Sequence, residues 1–327
     1  MANCSTKYLG LDLKNPLIVA SSNLGSDLEK IVKCQEAGAG AVVLKSLFEE
    51  QISHDSGKML SGMNMEAHSD AQDFFSSVSK SFYMDNYLKL VEDAKKEVDI
   101  PIIASLNCVS EGNWISYASD FQKVGADALE LNVFIIPADV KRTGQDIEKT
   151  YLNIARKVAD KVSLPVSMKL GCHFSGMANM FKSLDTIGIK GLVLFNRFYK
   201  PDIDIERMKL IPAKIFSAPE EMALSLQWIA LLSGELSCDF SAATGVHKAD
   251  DVIKQLLAGA ATTQLCSVLY KNGIEYISDI LKDLIAWMDK HNFNSIDDFK
   301  GKLSQESSDN PAAYERSQYV KALVGIS

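Results

Sequence analysis

The chain of 327 residues lacks several features that mark particular classes of protein. Its six cysteines include no Cys-x-x-Cys pair, which argues against zinc ribbons and against iron–sulfur clusters within this chain. No apolar run is long enough to cross a bilayer, and the first residues show no signal-peptide pattern, so we expect a cytoplasmic protein without a membrane partner. Basic residues are not in excess either: the net charge is −8, so nucleic acid is not an expected partner.

What the chain does contain is a regular alternation of short apolar segments and helical patterns. Eight segments are apolar and bounded by glycine or proline, which is typical of strands buried on both faces. Strict alternation predicts a parallel sheet with right-handed crossovers, and eight units over roughly 250 residues favour a closed (β/α)8 barrel over an open sheet. The predicted strands are 17–21, 41–45, 101–106, 128–133, 165–170, 191–196, 238–243 and 262–267.

Helical periodicity and glycine placement support the same alternation. Ser26 with Glu29 three residues later predicts a capped helix start. Four glycines just before predicted strands should end helices and turn the chain: Gly38, Gly125, Gly188 and Gly259. The predicted helices are 26–37, 84–98, 114–124, 146–161, 219–232 and 249–258, with a further amphipathic helix in 275–300.

We therefore predict an α/β protein with a single TIM-barrel domain over residues 1–327. Two gaps, 46–100 and 197–237, are too long for one helix, so we expect insertions after strands 2 and 6 on the functional face. Segment 46–83 has weak periodicity and is predicted to be a lid or an interface arm. Residues 303–327 are predicted to form a C-terminal tail.

Polar residues stand at the ends of five predicted strands, where a buried strand should be apolar. In a barrel these ends gather at one mouth, which is where the active site lies. A buried ammonium needs an anionic or strongly accepting partner, and amides suit the edge of a heterocycle. The alternative for the lysines is a structural ion pair, for example with Glu130. The residues are Lys45, Asn107, Asn132, Lys169 and Asn196.

The opposite side of the predicted mouth has the composition of a phosphate site. Residues 241–246 follow strand seven and residues 265–267 end strand eight, and both segments are rich in small side chains. Loops after these two strands commonly bind phosphate through backbone N–H groups, which small residues allow to approach closely. Small residues at strand ends also serve packing, which is the alternative.

Several stretches together resemble the dihydroorotate dehydrogenase family, especially its class 1 members. Order and spacing match over roughly residues 7–300, and Gly-Ala-Asp-Ala-Leu-Glu-Leu-Asn, at 125–132, is the most specific stretch. The resemblance implies a TIM barrel with FMN at its mouth, a role in pyrimidine biosynthesis, a small-molecule substrate and a homodimer. The stretches are 15–22, 38–46, 101–106, 125–132, 165–170 and 256–260.

The resemblance also implies roles for individual residues. Lys45 and Asn132 would contact both flavin and substrate, Lys169 would lie near flavin N1 and O2, and Asn196 would bind the substrate. Catalytic roles are implied for Lys45, Asn132 and Asn196, and we add Arg197 as a substrate-facing residue. The residues expected to bind FMN are Ala20, Ser21, Ser22, Lys45, Ser46, Asn132, Lys169, Thr244, Gly245, Cys266 and Ser267.

The sequence departs from the family pattern just after Asn132. The family usually has a Cys or Ser there that takes a proton from the substrate, whereas this chain has Ile135, which cannot accept one. A substrate-binding Asn is replaced by Pro137, and Arg197 stands where the family has Ser. Arg197 suits a carboxylate, or else a surface salt bridge. Replacement acids could be Cys108, Cys172, His173 or Tyr199.

The sequence thus predicts an FMN-dependent oxidoreductase acting on CH–CH groups, with hydride transfer between flavin N5 and a dihydropyrimidine-like substrate. Without a base at Ile135, we expect slow turnover of dihydroorotate. A second hypothesis keeps the flavin but assigns another heterocycle or an enoate as substrate. A third is a phosphate-ligand-binding barrel without redox function. No metal site is predicted.

Overall fold

Eight parallel strands close into a barrel in the computed structural model, which describes residues 2–48, 69–107, 111–197, 201–309 and 311–315. Each strand pairs with the next, and the last pairs with the first through Thr263 and Leu17. The predicted (β/α)8 fold is confirmed. The barrel strands, in order, are Leu17–Val19, Ala41–Val43, Ile102–Asn107, Ala128–Asn132, Val166–Leu170, Gly191–Leu194, Asp239–Ala243 and Thr262–Leu265.

Helices surround the barrel and cover its outer face with apolar side chains. The helix Gly144–Ala159 is representative, since it buries Tyr151 and Val158 and begins with a reciprocal cap between Thr143 and Asp146. The main helices are Leu28–Glu36, Ser69–Glu97, Glu111–Lys123, Gly144–Ala159, Met177–Ile187, Met222–Leu232, Ala249–Ala258 and Tyr276–Lys290, with shorter ones at Ser267–Asn272 and Ala312–Glu315.

The turns from helix to strand follow the glycine prediction. Gly38, Gly125, Gly188 and Gly259 all have positive φ, between 86° and 113°. This left-handed backbone suits glycine and lets each chain segment reverse into a strand without a side-chain clash. The prediction that these glycines end helices and redirect the chain is confirmed.

Two predictions about helices need correction, and one helix was not predicted. The first helix is capped by Asp27, whose Oδ1 accepts from Lys30 N at 3.0 Å, and not by Ser26. The hydroxyl of Ser26 instead donates to Asn23 O at 2.8 Å. The predicted helix 84–98 begins earlier, at Ser69. The helix Met177–Ile187 has no counterpart among the predictions.

One end of the barrel is closed by an N-terminal hairpin, Thr6–Tyr8 paired with Leu11–Leu13. Tyr8 and Leu13 are buried there and pack with Ile18, Val43 and Ile103 from the barrel strands. This apolar plug seals the amino-terminal ends of the strands. In the described part of the chain, the open end of the barrel is therefore the carboxyl end, where the polar residues lie.

Insertions follow the second and sixth barrel strands, as predicted. After the second strand, Leu47–Phe48 pairs with the third barrel strand and is followed further on by the helix Ser69–Glu97. Residues 49–68 lie outside the described residues, so a lid or interface arm over 46–83 stays a prediction. After the sixth strand, Pro201–Asp204 and Lys209–Pro212 form an antiparallel hairpin.

The first part of the predicted C-terminal tail packs back on the barrel helices. Leu303 N donates to Leu257 O at 2.8 Å, and Gln305 N donates to Ala230 O at 2.7 Å. Residues 316–327 lie outside the described part of the chain. Within the described part, no helix combines the length and apolar character that a bilayer crossing requires.

Candidate active site at the barrel mouth

The carboxyl ends of the strands surround a cavity of about 560 Å³, hereafter the mouth cavity. This volume is in the range of small-molecule and cofactor sites. Asn107 and Ile135 are not among its described lining residues. The cavity brings together every residue for which the sequence predicted catalysis or FMN binding: Ala20, Ser21, Ser22, Lys45, Ser46, Asn132, Lys169, Asn196, Arg197, Thr244, Gly245, Cys266 and Ser267.

Lys169 is the buried cation of the mouth cavity, with only 8% of its surface exposed. Its Nζ donates to Gln264 Oε1 at 3.0 Å, and Gln264 Nε2 donates to Glu130 Oε2 at 2.6 Å. Glu130 is therefore connected to Lys169 through an amide and forms no direct ion pair with it. The cation keeps donor capacity for a ligand in the cavity.

Burial controls the protonation of Glu130. Desolvation raises the pKa of the Glu130 carboxyl, while the charge of Lys169 and the hydrogen bond from Gln264 oppose that rise. Its Oε1 is buried and has no hydrogen-bond partner among the described residues. An unsatisfied carboxylate oxygen is costly in such surroundings, so the protonated form is favoured relative to an exposed glutamate.

A row of hydroxyl groups lies along the side of the cavity formed by the first, second and third strands. Ser21 Oγ lies 3.0 Å from Ser46 Oγ, which in turn lies 2.7 Å from Ser105 Oγ. Ser46 N also donates to Ser21 Oγ at 2.9 Å. Lys45 precedes this row, and its backbone N donates to Gly25 O at 3.0 Å. These contacts hold Ser21, Lys45 and Ser46 in place beside the cavity.

Two amides meet at the fourth and sixth strand ends. Asn196 Nδ2 donates to Asn132 Oδ1 at 2.6 Å, and Asn196 N donates to Leu170 O at 2.7 Å. The bond between the side chains leaves the carbonyl of Asn196 and the amino group of Asn132 for a ligand. An adjacent acceptor and donor match the N–H and C=O groups of a cyclic amide.

The loop after the seventh strand forms a cradle of backbone N–H groups. Thr244 and Gly245 have φ of 70° and 82°. A Cβ on Gly245 would lie 2.4 Å from Met222 N, so only glycine fits there. Among the described residues, none accepts a hydrogen bond from the N–H of Gly245, Val246 or Cys266. Successive free N–H groups in a left-handed turn are typical of anion sites.

Cys266 and Ser267 lie beside this cradle at the end of the eighth strand. Burial raises the pKa of the Cys266 thiol, against smaller opposing effects of Lys169 and Ser22, so the thiol stays protonated at neutral pH. Ser267 Oγ accepts from Ser217 N at 3.0 Å, which fastens the sixth-strand insertion to this side of the mouth cavity.

Arg197 also fastens the insertion. Its Nε donates to Glu221 Oε2 at 2.9 Å, and its terminal nitrogens donate to Ile215 O at 2.8 Å and Lys214 O at 2.9 Å. Each guanidinium nitrogen therefore has a protein partner. Arg197 lines the mouth cavity, but its geometry corresponds more to the salt-bridge alternative than to a carboxylate-binding residue awaiting a substrate.

The loop after the fourth strand places Ile135 beside the core. Ile135 N donates to the buried Tyr151 hydroxyl at 2.9 Å, and the Ile135 side chain packs against the hydrophobic cluster. Its neighbours Ile136 and Pro137 are exposed. Of the residues described along the mouth cavity, none is Asp, Glu or His. The position at which the family pattern expects a Cys or Ser base is occupied by Ile135, although Cys266 and several serines line the cavity elsewhere.

Two of the four candidate replacement acids lie beside the mouth cavity and not among its described lining residues. Cys172 and His173, whose Sγ and Nδ1 lie 3.5 Å apart, line a neighbouring cavity of about 510 Å³. That cavity shares Asn196, Arg197 and Thr244 with the mouth cavity. Cys108 and Tyr199 lie outside the described residues, so their proposed role stays a prediction.

Gln264 is the site residue that sequence reasoning missed. It is the third residue of the buried strand Thr262–Leu265 and lies two residues before Cys266, and side chains two apart in a strand share a face. Glu130 has the same relation to Asn132, and so does Ser167 to Lys169. Residues two positions before each predicted site residue lie on the same face of the strand. Applying this rule to the sequence would have identified Glu130, Ser167 and Gln264 as polar residues that face the barrel interior.

Comparison with known proteins yields matches over most of the chain. A family model described as dihydroorotate dehydrogenase matches residues 3–288. The catalytic subunit of dihydroorotate dehydrogenase B (NAD(+)) from Thermoplasma acidophilum is 25% identical over 308 residues, covering 92% of this chain and 99% of that protein. A subunit of the same name from Pyrococcus furiosus is 25% identical over 304 residues, covering 90% and 97%. The putative dihydroorotate dehydrogenase A (fumarate) of Aeropyrum pernix is 25% identical over 305 residues, covering 91% and 96%.

Proposed function

The chain belongs to the dihydroorotate dehydrogenase family, and from that membership we propose that it is an FMN-dependent oxidoreductase acting on a dihydropyrimidine-like substrate. The family resemblance predicted from the sequence is confirmed. Membership gives the oxidoreductase class, which acts on CH–CH groups, and the link to pyrimidine biosynthesis. The flavin in this chain and the roles of single residues are proposals that the mouth cavity supports.

The observation that carries the proposal is the convergence at the mouth cavity. A buried cation at Lys169, the amide pair Asn132–Asn196 and the N–H cradle at Gly245 surround one volume of about 560 Å³. A flavin mononucleotide needs these three features at once: a positive charge beside the ring, polar contacts at the ring edge and an anion site for its phosphate.

The residues present fit FMN by the chemistry of their donors. Gly245, Val246 and Cys266 would give the phosphate backbone N–H groups that no described residue uses. Lys169 would face the pyrimidine edge of the ring, and Ala20, Ser21 and Ser22 would lie along it. When bound, FMN supplies hydride exchange with a carbon of the substrate.

The substrate would lie against the amide pair. Asn132 would donate from its amino group and Asn196 would accept at its carbonyl, which suits an N–H and C=O edge of a dihydropyrimidine. Lys45 would contact both substrate and ring from the second strand. Because Ile135 occupies the family's base position, these residues are proposed to bind and orient the substrate and not to remove a carbon-bound proton.

The isoleucine at the base position favours a second candidate, a flavin oxidoreductase for another heterocycle or an enoate. Ile135 packs on the core where the family pattern expects a base. A reaction whose proton comes from solvent would not need that base. The names of the relatives do not fix the electron acceptor either, since some are named for NAD(+) and another is named for fumarate.

The test begins with the visible spectrum of the purified protein, followed by FMN titration of any colourless fraction. We expect flavin absorbance and stoichiometric binding. Anaerobic mixing of the oxidised flavoprotein with dihydroorotate shows whether this compound bleaches the flavin. Mixing the chemically reduced flavoprotein with unsaturated heterocycles and enoates shows which of them takes hydride from the flavin and restores its absorbance. A protein that never binds flavin would contradict the proposal and support a barrel without redox function.

We further propose a homodimer and a cytoplasmic location. The hairpin after the sixth strand pairs Ile203 with Leu210, and both are exposed, as are Ile205 and Met208. A self-complementary apolar hairpin suits a two-fold contact with a second copy. Light scattering should give twice the monomer mass, and Leu210→Glu should give the monomer mass. The five described cysteines are free, which agrees with a reducing compartment.

A further inference from the structure

A buried hydrogen-bond chain runs from the mouth cavity into the barrel. Lys169 Nζ donates to Gln264 Oε1 at 3.0 Å, and Gln264 Nε2 donates to Glu130 Oε2 at 2.6 Å. The three residues come from the fifth, eighth and fourth strands, and all are buried. Because an ammonium can only donate, Gln264 must turn its carbonyl to Lys169 and its amino group to Glu130, so the chain has one direction.

The far end of this chain can hold a proton. Glu130 Oε1 is buried and has no hydrogen-bond partner among the described residues, while Oε2 is occupied by Gln264. A proton on Oε1 would remove the charge of a carboxylate that is 1% exposed. Desolvation favours that proton, and Lys169 opposes it. The protonation equilibrium of Glu130 therefore depends on how far the positive charge of Lys169 is neutralised by other groups.

The other titratable groups facing Glu130 do not compete for this role. Tyr8, from the N-terminal hairpin, and Tyr87, from the helix Ser69–Glu97, both interact with Glu130. Burial raises the pKa of both hydroxyls, so they remain neutral while Glu130 titrates. Lys169 is the charged group that acts on Glu130, and it reaches the mouth cavity directly.

We propose that Glu130 is a positioning residue that, through Gln264, couples flavin binding at Lys169 to the uptake of one proton at Glu130 Oε1. The inference rests on the proposed function. An electron-rich ring edge beside Lys169 offsets part of its positive charge, so the Glu130 carboxylate is stabilised less and takes a proton from solvent. By reciprocity, a protonated Glu130 leaves the Lys169 charge uncompensated and strengthens binding of the ring.

Calorimetric titration of the full chain with riboflavin tests the coupling. Riboflavin has no phosphate, so the probe itself does not titrate between about pH 5 and 8, and the same titration with FMN serves for comparison. Binding in two buffers of different ionisation enthalpy counts the protons exchanged. We expect a fraction of one proton taken up, and an affinity that falls several-fold as the pH rises through the pKa of Glu130.

Two variants locate the proton. Glu130→Gln keeps the size and an acceptor for Gln264 but cannot titrate, so we expect riboflavin binding without proton uptake and without pH dependence. Gln264→Met, which breaks the chain with an apolar residue of similar length, should also abolish the uptake and should weaken binding. Glu235→Gln, at an exposed glutamate, is the matched control and should behave as wild type.

The outcomes separate this inference from the proposed function. Riboflavin binding by the wild-type chain with no proton exchange would overturn the inference and needs no variant to fold. Unchanged proton uptake in Glu130→Gln would overturn it as well. Failure of the wild-type chain to bind either riboflavin or FMN would overturn the proposed function, and with it the coupling.

Discussion

Two sides of the barrel mouth differ in how they are built. The side that carries Lys169 and Gln264 consists of strand residues, whereas the side that carries Ile135 is a loop. On the first side, Lys169 and Gln264 lie within strands whose register is fixed by their neighbours. On the second side, residues 133–137 follow the fourth strand without secondary structure. Ile135 is held there by its N–H to the Tyr151 hydroxyl and by side-chain packing on the hydrophobic cluster. The groups proposed to contact the flavin ring lie on the strand-built side, and the position of the family's base is occupied by Ile135 in the loop.

This difference has a physical reason. A polar residue in a buried strand is held by the backbone hydrogen bonds of the sheet and by side-chain partners such as Gln264. Replacing it with an apolar residue leaves those partners without a hydrogen bond inside the barrel. A loop residue can change without that cost, since its surroundings are partly solvent. Cofactor binding and substrate chemistry can therefore diverge separately on one barrel.

Removing the cation should affect the strand-built side most. Lys169→Ala deletes a charge-assisted donor, worth about 1.5–3 kcal/mol, so we expect FMN affinity to fall roughly 10- to 100-fold. Fluorescence titration with FMN measures the change. Lys190→Ala, at an exposed lysine before the sixth strand, is the control. Equal affinity in Lys169→Ala and wild type would show that the strand-built side does not bind the ring.

A methyl group in the phosphate cradle should have the next largest effect. Gly245→Ala combines a φ of 82° with a Cβ 2.4 Å from Met222 N, so we expect a loss of about 1–3 kcal/mol in the free energy of unfolding and weaker FMN binding. Gly10→Ala has a similar φ of 79° with nothing within 4 Å, so it isolates the backbone strain.

If Gly10→Ala and Gly245→Ala lower the melting temperature equally, and neither changes FMN affinity, the close approach at Gly245 has no role in binding. We expect the opposite: a larger fall in melting temperature for Gly245→Ala, and a changed affinity for this variant alone. Thermal denaturation with and without FMN measures both effects.

The smallest effect concerns the pH dependence of stability. The pKa of Glu130 is raised in the folded chain, so the native state binds more protons than the unfolded state above the ordinary pKa of glutamate. The free energy of unfolding should therefore fall as the pH rises from that value to the raised pKa, by about 1.4 kcal/mol for each unit of difference. Urea denaturation across that range should show a flatter profile for Glu130→Gln than for Glu235→Gln.

The sequence was sufficient to predict the barrel because its strands are short apolar runs punctuated by glycine. The glycines at 38, 125, 188 and 259 adopt the left-handed conformation that this pattern requires. The helix Met177–Ile187 was missed, although its C-cap at Gly188 was predicted. Its N-cap, Gly176, makes no side-chain hydrogen bond, so the start carries little local signal.

Site residues could be predicted from the sequence where a polar residue ends a strand. Side-chain contacts between residues far apart in the sequence could not be predicted in this way. Lys45, Asn132, Lys169 and Asn196 reach one cavity, as the barrel geometry implies. The contacts of Arg197 with Lys214, Ile215 and Glu221 depend on how the insertion folds back, which no local pattern shows. Gln264 likewise acquires its role only from Lys169 and Glu130 across the barrel.

The most direct test of the contrast between the two sides is anaerobic rapid mixing of the FMN-loaded protein with dihydroorotate, followed by flavin absorbance. The side built on strands should bind the flavin, and the lack of a base at Ile135 should slow its reduction by roughly 10²- to 10⁴-fold relative to family members that carry the usual Cys or Ser. Flavin binding with slow bleaching is the predicted result. Bleaching as fast as in those family members would contradict it.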